Sequence, residues 1–430
     1  MKELLRRARN KMRLQEKHAP LRRVMFLHHN YYHFDYLCDA LRARGWQAEI
    51  WDFEPLDAAH RYLFHSNERL NRYFHTTDFH QYERVCRDAV REAAINFDIV
   101  HFSGMGFMAF GTHNFDQNIY RDRIPYDFIE LRQKGVKLAY TITGCIDGIS
   151  QRSFGAWSGG ACDQCILQDR SADCSDIKNL SWGHKVTMFS DVVFAEQLPA
   201  VDFINTEKTL RGNTTLALSQ DVWRKDLDIP DRYKIDKAPN EILIIHGFAN
   251  AKARATADRD IKGTNVIRRV VDELAAEGLP VRLIFAEDIP SRDMPYIQAQ
   301  ADIAVEQLYL GLNGSMAREA MMTGLPTLGF LIRNRREDER PLAILDEYPI
   351  VDITPETLKD ELRRFVQSRE LRESVGRQSR EFMMKWHEAQ ACAERYETVW
   401  DLYHLEGLTP RQIEDRIMRP QSTSEPGIKG

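Results

Sequence analysis

The chain has 430 residues, 43% of them hydrophobic and 29% charged, with a formal net charge of −5. That length exceeds what one core serves and predicts two domains of roughly 200 residues. The charge excludes nucleic-acid binding over the whole surface, and no apolar run reaches the roughly 20 residues that cross a membrane.

Residues 1–20, MKELLRRARNKMRLQEKHAP, carry seven Lys/Arg against two Glu. Leu4, Leu5, Ala8 and Met12 share one helical face. The segment reads either as a basic amphipathic helix lying on an anionic membrane or as a solvated helix packed on the body. Arginines follow Leu4 and Leu5 where a secretory leader would stay apolar, which predicts a cytoplasmic protein, peripheral on the inner face of a membrane if the first reading holds.

Strands and helices then alternate. VMFLHH, QAEIWDF, DIVHFS, VKLAYTIT, DVVFAE and TTLALS read as strands, and YYHFDYLCDALRARG as the first helix between them. This is the pattern of a parallel sheet with helices on both faces. An insertion rich in His, Tyr and Phe follows the second strand and holds His60, His65, His75 and His80. The spacing of these histidines forms no metal-ligand set. The insertion reads as ordinary surface or as an aromatic lid over a sugar-sized ligand.

KDLDIPDRYKIDKAPN, residues 225–240, is polar, irregular and Pro-containing, as a linker is. A second α/β series follows: EILIIHGF, the helix TNVIRRVVDELAAEG, then VRLIFAED, DIAVEQL, PTLGF and PIVDI. From Pro355 onward the pattern is helical. The predicted organisation is a first domain over 21–225, a second over 240–375, helices over 376–418 that pack back across the domains, and a disordered tail over 419–430.

The stretch EQLYLGLNGSMAREAMMTGLP, Glu306 to Pro326, takes an apolar strand through a glycine-spaced turn into a helix carrying Glu319. Glycine lets backbone approach a ligand closely, and a helix start offers free N–H groups and partial positive charge. Together they suit an anion such as a diphosphate.

These residues, with IKGTNVIRRVVDELAAEGLPVRLIF before them and the two tandem α/β series, resemble the retaining glycosyltransferases of family 4. The resemblance is strongest from Glu241 to Pro326 and implies the GT-B fold. That fold is α/β, with two doubly wound Rossmann-like domains, a cleft between them and C-terminal helices. It also implies a nucleotide-diphosphate-sugar donor on the second domain, no metal for catalysis, and a glycan, lipid or small-molecule acceptor on the first. By the same resemblance, Gly314, Ser315 and Met316 present N–H groups to the diphosphate, and Glu319 accepts hydrogen bonds from ribose hydroxyls. The family pairs two glutamates here, and Gly311 stands at the first position. Lys262 in DIKGT matches the lysine that neutralises the departing nucleotide, with Arg254 or Arg259 as its partner. The leaving diphosphate's own oxygen could take the acceptor proton.

The family often carries a histidine after the strand matching KLAYTIT, where Thr143, Gly144 and Cys145 stand here. His101, His28 and His29 lie at other strand ends, where such folds collect ligands, and His101 is the candidate catalytic histidine. Gly311 and Thr143 favour a second reading, a catalytically weak protein that binds sugar nucleotides. A nucleotide-sugar epimerase of the same fold is a third.

Four of the seven cysteines, Cys145, Cys162, Cys165 and Cys174, fall within thirty residues. Cys162-Asp-Gln-Cys165 is a knuckle that offers two thiolates to one tetrahedral ion. In a reducing cytosol a structural zinc fits the four better than disulfides do, and a redox C-x-x-C would not need the outer pair. His184 could replace one ligand. Three other signals are weaker. Gly104–Ala109 matches a dinucleotide glycine pattern but lacks a nearby second strand with its acidic residue. Asp258–Asp260 forms a three-residue acidic match expected by chance. His29 and His33 are four apart without a third metal ligand.

Overall fold

The computed structural model describes residues 19–27, 32–52, 65, 69–72, 78–103, 126–145, 147–199, 201–248, 256, 258–287, 289–333 and 340–419. Expectations for the N-terminal segment up to residue 18, for His28, His29, His60 and His75, for Gly104–Ala109, for Arg254 and for the tail beyond 419 lie outside the described residues.

Strands β1 (Arg23–Leu27), β2 (Gln47–Asp52), β3 (Arg69–Asn71), β4 (Ile99–Ser103), β5 (Lys137–Thr141), β6 (Val192–Glu196) and β7 (Thr209–Arg211) form the first sheet. Their order is β3-β2-β1-β4-β5-β6-β7, every pairing parallel. β4 and β6 are buried at every residue, which is why they read as continuous apolar runs: helices cover both faces of a parallel sheet. Those helices are α1 (His33–Ala43), α2 (Phe79–Asn96), α3 (Tyr126–Gln133), α4 (Gln151–Ser158) and α5 (Asp176–Phe189).

The second sheet holds β8 (Ile242–Phe248), β9 (Val281–Glu287), β10 (Ile303–Val305), β11 (Thr327–Gly329) and β12 (Val351–Asp352), in the order β12-β11-β10-β8-β9 and also parallel. Its helices are α6 (Thr264–Ala276), α7 (Met294–Gln298), α8 (Ser315–Thr323), α9 (Ala343–Glu347) and α10 (Leu358–Gln367). In each sheet the strand order reverses next to its first strand, at β1/β4 and at β8/β10. Such switch points open a crevice at the carboxyl ends of the strands. The expected pair of doubly wound domains is thus present.

One strand differs from expectation. Thr214–Ser219 is not the last strand of the first sheet; that role falls to Thr209–Arg211. The run is buried through Leu218 because it serves other partners. Thr214 and Thr215 donate their backbone N–H groups to the Glu196 carboxylate at 3.1 and 3.0 Å, and Leu218 bridges to Glu388.

The chain ends on helices α11 (Arg369–Trp386), α12 (Ala389–His404) and α13 (Pro410–Ile417). α12 returns to the first sheet. Its Asp401 takes two hydrogen bonds from Arg22, at 2.8 and 2.9 Å, and its Tyr396 hydroxyl meets His101 Nδ1 at 3.0 Å. α13, closed by a Thr409–Gln412 capping box, buries Glu414 against Arg211 at 3.2 Å and Arg340 at 2.9 Å. One apolar cluster accordingly joins Phe26, Phe34 and Trp46 to Tyr396, Val399 and Trp400.

Candidate functional site

A cavity of about 620 Å3 lies where strand ends of both sheets meet, within the roughly 300–1,000 Å3 typical of ligand sites. The first sheet contributes Tyr32 and His33 after β1, Thr143 after β5 and Glu196 ending β6; the second contributes Phe248 ending β8 and Glu306 following β10.

The second-domain wall is built around the start of α8. Gly314 caps this nine-residue helix with backbone only, so no side chain occupies its first N–H groups. Glycine is needed there because a Cβ would fall on Glu306 Oε1. Arg318, 7% exposed, folds back from the first turn: its guanidinium donates to Asn313 O at 3.0 Å and to Ser315 Oγ at 3.3 Å. Lys262, equally buried, donates from Nζ to Glu306 Oε1 at 3.1 Å and to Gln307 Oε1 at 2.6 Å. Two buried cations and an uncapped helix start therefore face one cavity, with Lys262 already paired to Glu306. Both amide atoms of Asn313, also on this wall, have no hydrogen-bond partner among the described residues.

Glu319 lies one turn deeper and is 5% exposed. Its carboxylate accepts from Gln298 Nε2 at 2.9 Å and from the Tyr32 hydroxyl, which reaches it from the first domain. Burial pushes its pKa up to about 7, and the two donors hold it from rising further.

On the opposite wall, His33 Nδ1 is 2.9 Å from Ala217 O, so it carries the ring proton. Nε2 is left as a buried acceptor without a partner among the described residues. Burial and then the nearby Arg318 lower the pKa to about 3, so the ring is neutral. Glu196 lines the cavity in a left-handed conformation, φ 49°, and its carboxylate also accepts from the Thr215 hydroxyl. The carboxylate holds the Thr214–Thr215 segment in place.

The sequence-derived residues separate into two groups. Lys262, Gly314, Ser315, Met316 and Glu319 gather at the cavity, as do Cys145, Cys162, Cys165 and Cys174. Three others lie away from its wall. His101 is absent from the cavity wall. It is wholly buried between Phe194 and Tyr396, with its nitrogens engaged by Tyr396 and Thr141, and its pKa is lowered to about 3 by burial. Gly311 also lies off the wall. Its φ of 75° and a Cβ position 2.6 Å from Ile332 Cδ1 give it a packing reason. Arg259 binds Asp169 at 2.6 Å and Cys165 O at 3.1 Å, so it ties the second domain to the cysteine loop.

Sequence reading missed Glu306, Arg318 and Tyr32. The available signal was Arg-Glu inside SMAREAMMT, two charges in a helix buried from Met316 to Thr323. Charges in such a place are retained for a partner or a ligand.

The cysteines line one wall, and burial pushes the Cys162 thiol up to about 11, with Cys165 and Cys174 adding to the effect. Leu167 N lies 3.4 Å from Cys165 Sγ; Gln151 Nε2 and Asn179 Nδ2 lie 3.3 and 3.4 Å from Cys174 Sγ. Among the described residues, no three His, Cys, Asp or Glu side chains are already arranged to hold a metal ion.

No protein-family model matches the chain, and no curated protein sequence matches it. Solved structures do. HepE from Anabaena, in complex with UDP, is 12% identical with a TM-score of 0.50, covering 87% of this chain and 98% of its own. In complex with UDP-glucose it is 13% identical over the same shares, also at 0.50. A glycosyltransferase from Rickettsia africae is 11% identical with a TM-score of 0.52, covering 88% of this chain and 97% of its own. At these identities the likeness is one of fold, and the fold is GT-B.

Proposed function

We propose that the protein is a glycosyltransferase that moves a sugar from a nucleoside-diphosphate sugar to an acceptor with retention of configuration, in the manner of family 4. The carrying observation is the uncapped start of α8, flanked by buried Lys262 and Arg318, inside a cavity shared by two doubly wound domains. In this reading the N–H groups after Gly314 receive the diphosphate. Lys262 and Arg318 neutralise the charge that develops on it as the sugar departs. Glu319 accepts the ribose hydroxyls once Tyr32 withdraws from it, and the departing diphosphate oxygen takes the acceptor's proton. His33 offers a neutral acceptor nitrogen from the first-domain wall, where the acceptor would sit. The UDP and UDP-glucose in the HepE complexes support this choice of donor class.

The test is a thermal-shift screen of nucleotide sugars, followed by release of nucleoside diphosphate with candidate acceptors. Acceptor-dependent release with a retained anomeric configuration is expected. Binding without release would favour the sugar-nucleotide-binding reading, interconversion of the free donor the epimerase reading, and no binding at all would remove the proposal.

A separate structural proposal concerns the cysteines: Cys145, Cys162, Cys165 and Cys174 close on one zinc ion. The knuckle spacing and the N–H groups aimed at the Cys165 and Cys174 sulfurs support it, because amide donors stabilise thiolates. The ion would have to draw the thiols together. Elemental analysis of protein purified without chelator should give one zinc per chain, and its removal should lower thermal stability. A content near zero disposes of the clip.

A further inference from the structure

We propose that Glu306 is the carboxylate that receives the hydroxyl groups of the transferred sugar, an assignment that rests on the donor reading above. Glu306 follows the last residue of β10 and is 3% exposed. Oε1 is held by Lys262 Nζ at 3.1 Å. Oε2 is buried without a hydrogen-bond partner among the described residues, although the residue lines the cavity. A buried carboxylate oxygen accepts hydrogen bonds and cannot donate them, and leaving it empty is unfavourable. Its neighbour Gln307 cannot serve it: Oε1 is taken by Lys262, and Nε2 donates to Leu312 O.

The group that fits Oε2 must therefore come with the ligand and must donate. A phosphate has no proton to give at neutral pH and would be repelled. A sugar hydroxyl is neutral and donates. Charge thus divides this wall into two sites. The anion takes the helix start with Lys262 and Arg318, and the hydroxyl-bearing part takes Glu306. The two sites adjoin, because the space a Cβ at Gly314 would need is filled by Glu306 Oε1. A glycosyl–phosphate linkage, in which sugar and phosphate share one bridging oxygen, requires such adjacency. Gly311 offers no carboxylate and lies off the cavity wall, whereas Glu306 is on it.

The experiment compares free diphosphates with their sugar conjugates. Wild-type, Glu306→Gln and Glu306→Ala proteins, full length, are titrated calorimetrically with UDP, ADP and GDP and with the glucose conjugate of each, after thermal melts confirm folding. In both variants the affinity of the conjugate relative to its free diphosphate should fall about tenfold or more. Affinity for the free diphosphate should hold or rise as a negative charge leaves. An unchanged ratio, or equal weakening of both ligands, would make Glu306 only the counter-ion of Lys262 and overturn the assignment while leaving the donor site standing. Failure of the wild type to bind any of the six overturns the donor reading and this inference with it.

Discussion

Lys262→Ala is expected to weaken nucleoside-diphosphate binding by about 1.5–3 kcal/mol, roughly 10- to 150-fold, the scale of one lost charge-assisted contact. Lys262 is buried beside the uncapped start of α8, where a diphosphate would meet few competing waters. The single substitution also strands the Glu306 carboxylate, and breaking a buried pair costs stability on its own, about 3–5 kcal/mol. A double variant, Lys262→Met with Glu306→Gln, separates the two effects. It should recover much of the lost stability, since neither group is then charged, while its diphosphate affinity stays below that of the wild type. Wild-type affinity in the double variant, measured by calorimetry, would show that the lysine does not touch the anion.

Glu319→Gln should stabilise the protein at pH 8 and leave it nearly unchanged near pH 4.5. The folded-state pKa of Glu319 is about 7, above the roughly 4.3 of an unfolded chain. Between these values the folded protein keeps a proton that the unfolded chain has released. Raising the pH through this window therefore favours unfolding, and the penalty is complete above pH 7. A gap of roughly 2.7 units is worth about 4 kcal/mol. Glutamine carries no such penalty. Its carbonyl can still accept from Tyr32, and its amide can find Gln298 Oε1, which lacks a partner among the described residues. The informative quantity is the stability difference between variant and wild type, in which other buried groups cancel. A difference flat from pH 5 to 8 would mean that Glu319 is ionised throughout.

Most of the fold was legible because parallel strands buried on both faces write themselves as apolar runs, and β1, β4, β6 and β8 are of that kind. The last strand of the first sheet was displaced because Thr214–Leu218 is equally buried, but against Glu196 and the C-terminal segment, partners that no local pattern announces. At the cavity, Gly314 and Glu319 were named from the glycine turn and the helix start, and Lys262 from the family resemblance; all three line its wall. His101 misled for a definite reason: lying near a strand's carboxyl end does not say which face a side chain takes, and its face is sealed by Tyr396, 295 positions later. Glu306 was hidden because DIAVEQL reads as one strand through Leu308, whereas β10 ends at Val305 and the next residue lines the cavity. Tyr32 could not be read at all, since its contact with Glu319 depends on how two domains meet.

The return of α12 and α13 to the first sheet sets an order of events on the ribosome. Phe26, Trp46 and His101 leave the exit tunnel well before the rings that cover them, and Tyr396 follows His101 by 295 positions. At about 5–20 residues per second, the interval between the end of β7 and α12 is on the order of ten to forty seconds. Throughout it the first domain holds a bare aromatic face and an Arg211 still waiting for Glu414. The second domain can close on its own sheet in that time. The domain translated first is thus the one that matures last, and a nascent chain halted before Ala389 presents to chaperones and proteases the surface that the finished protein buries.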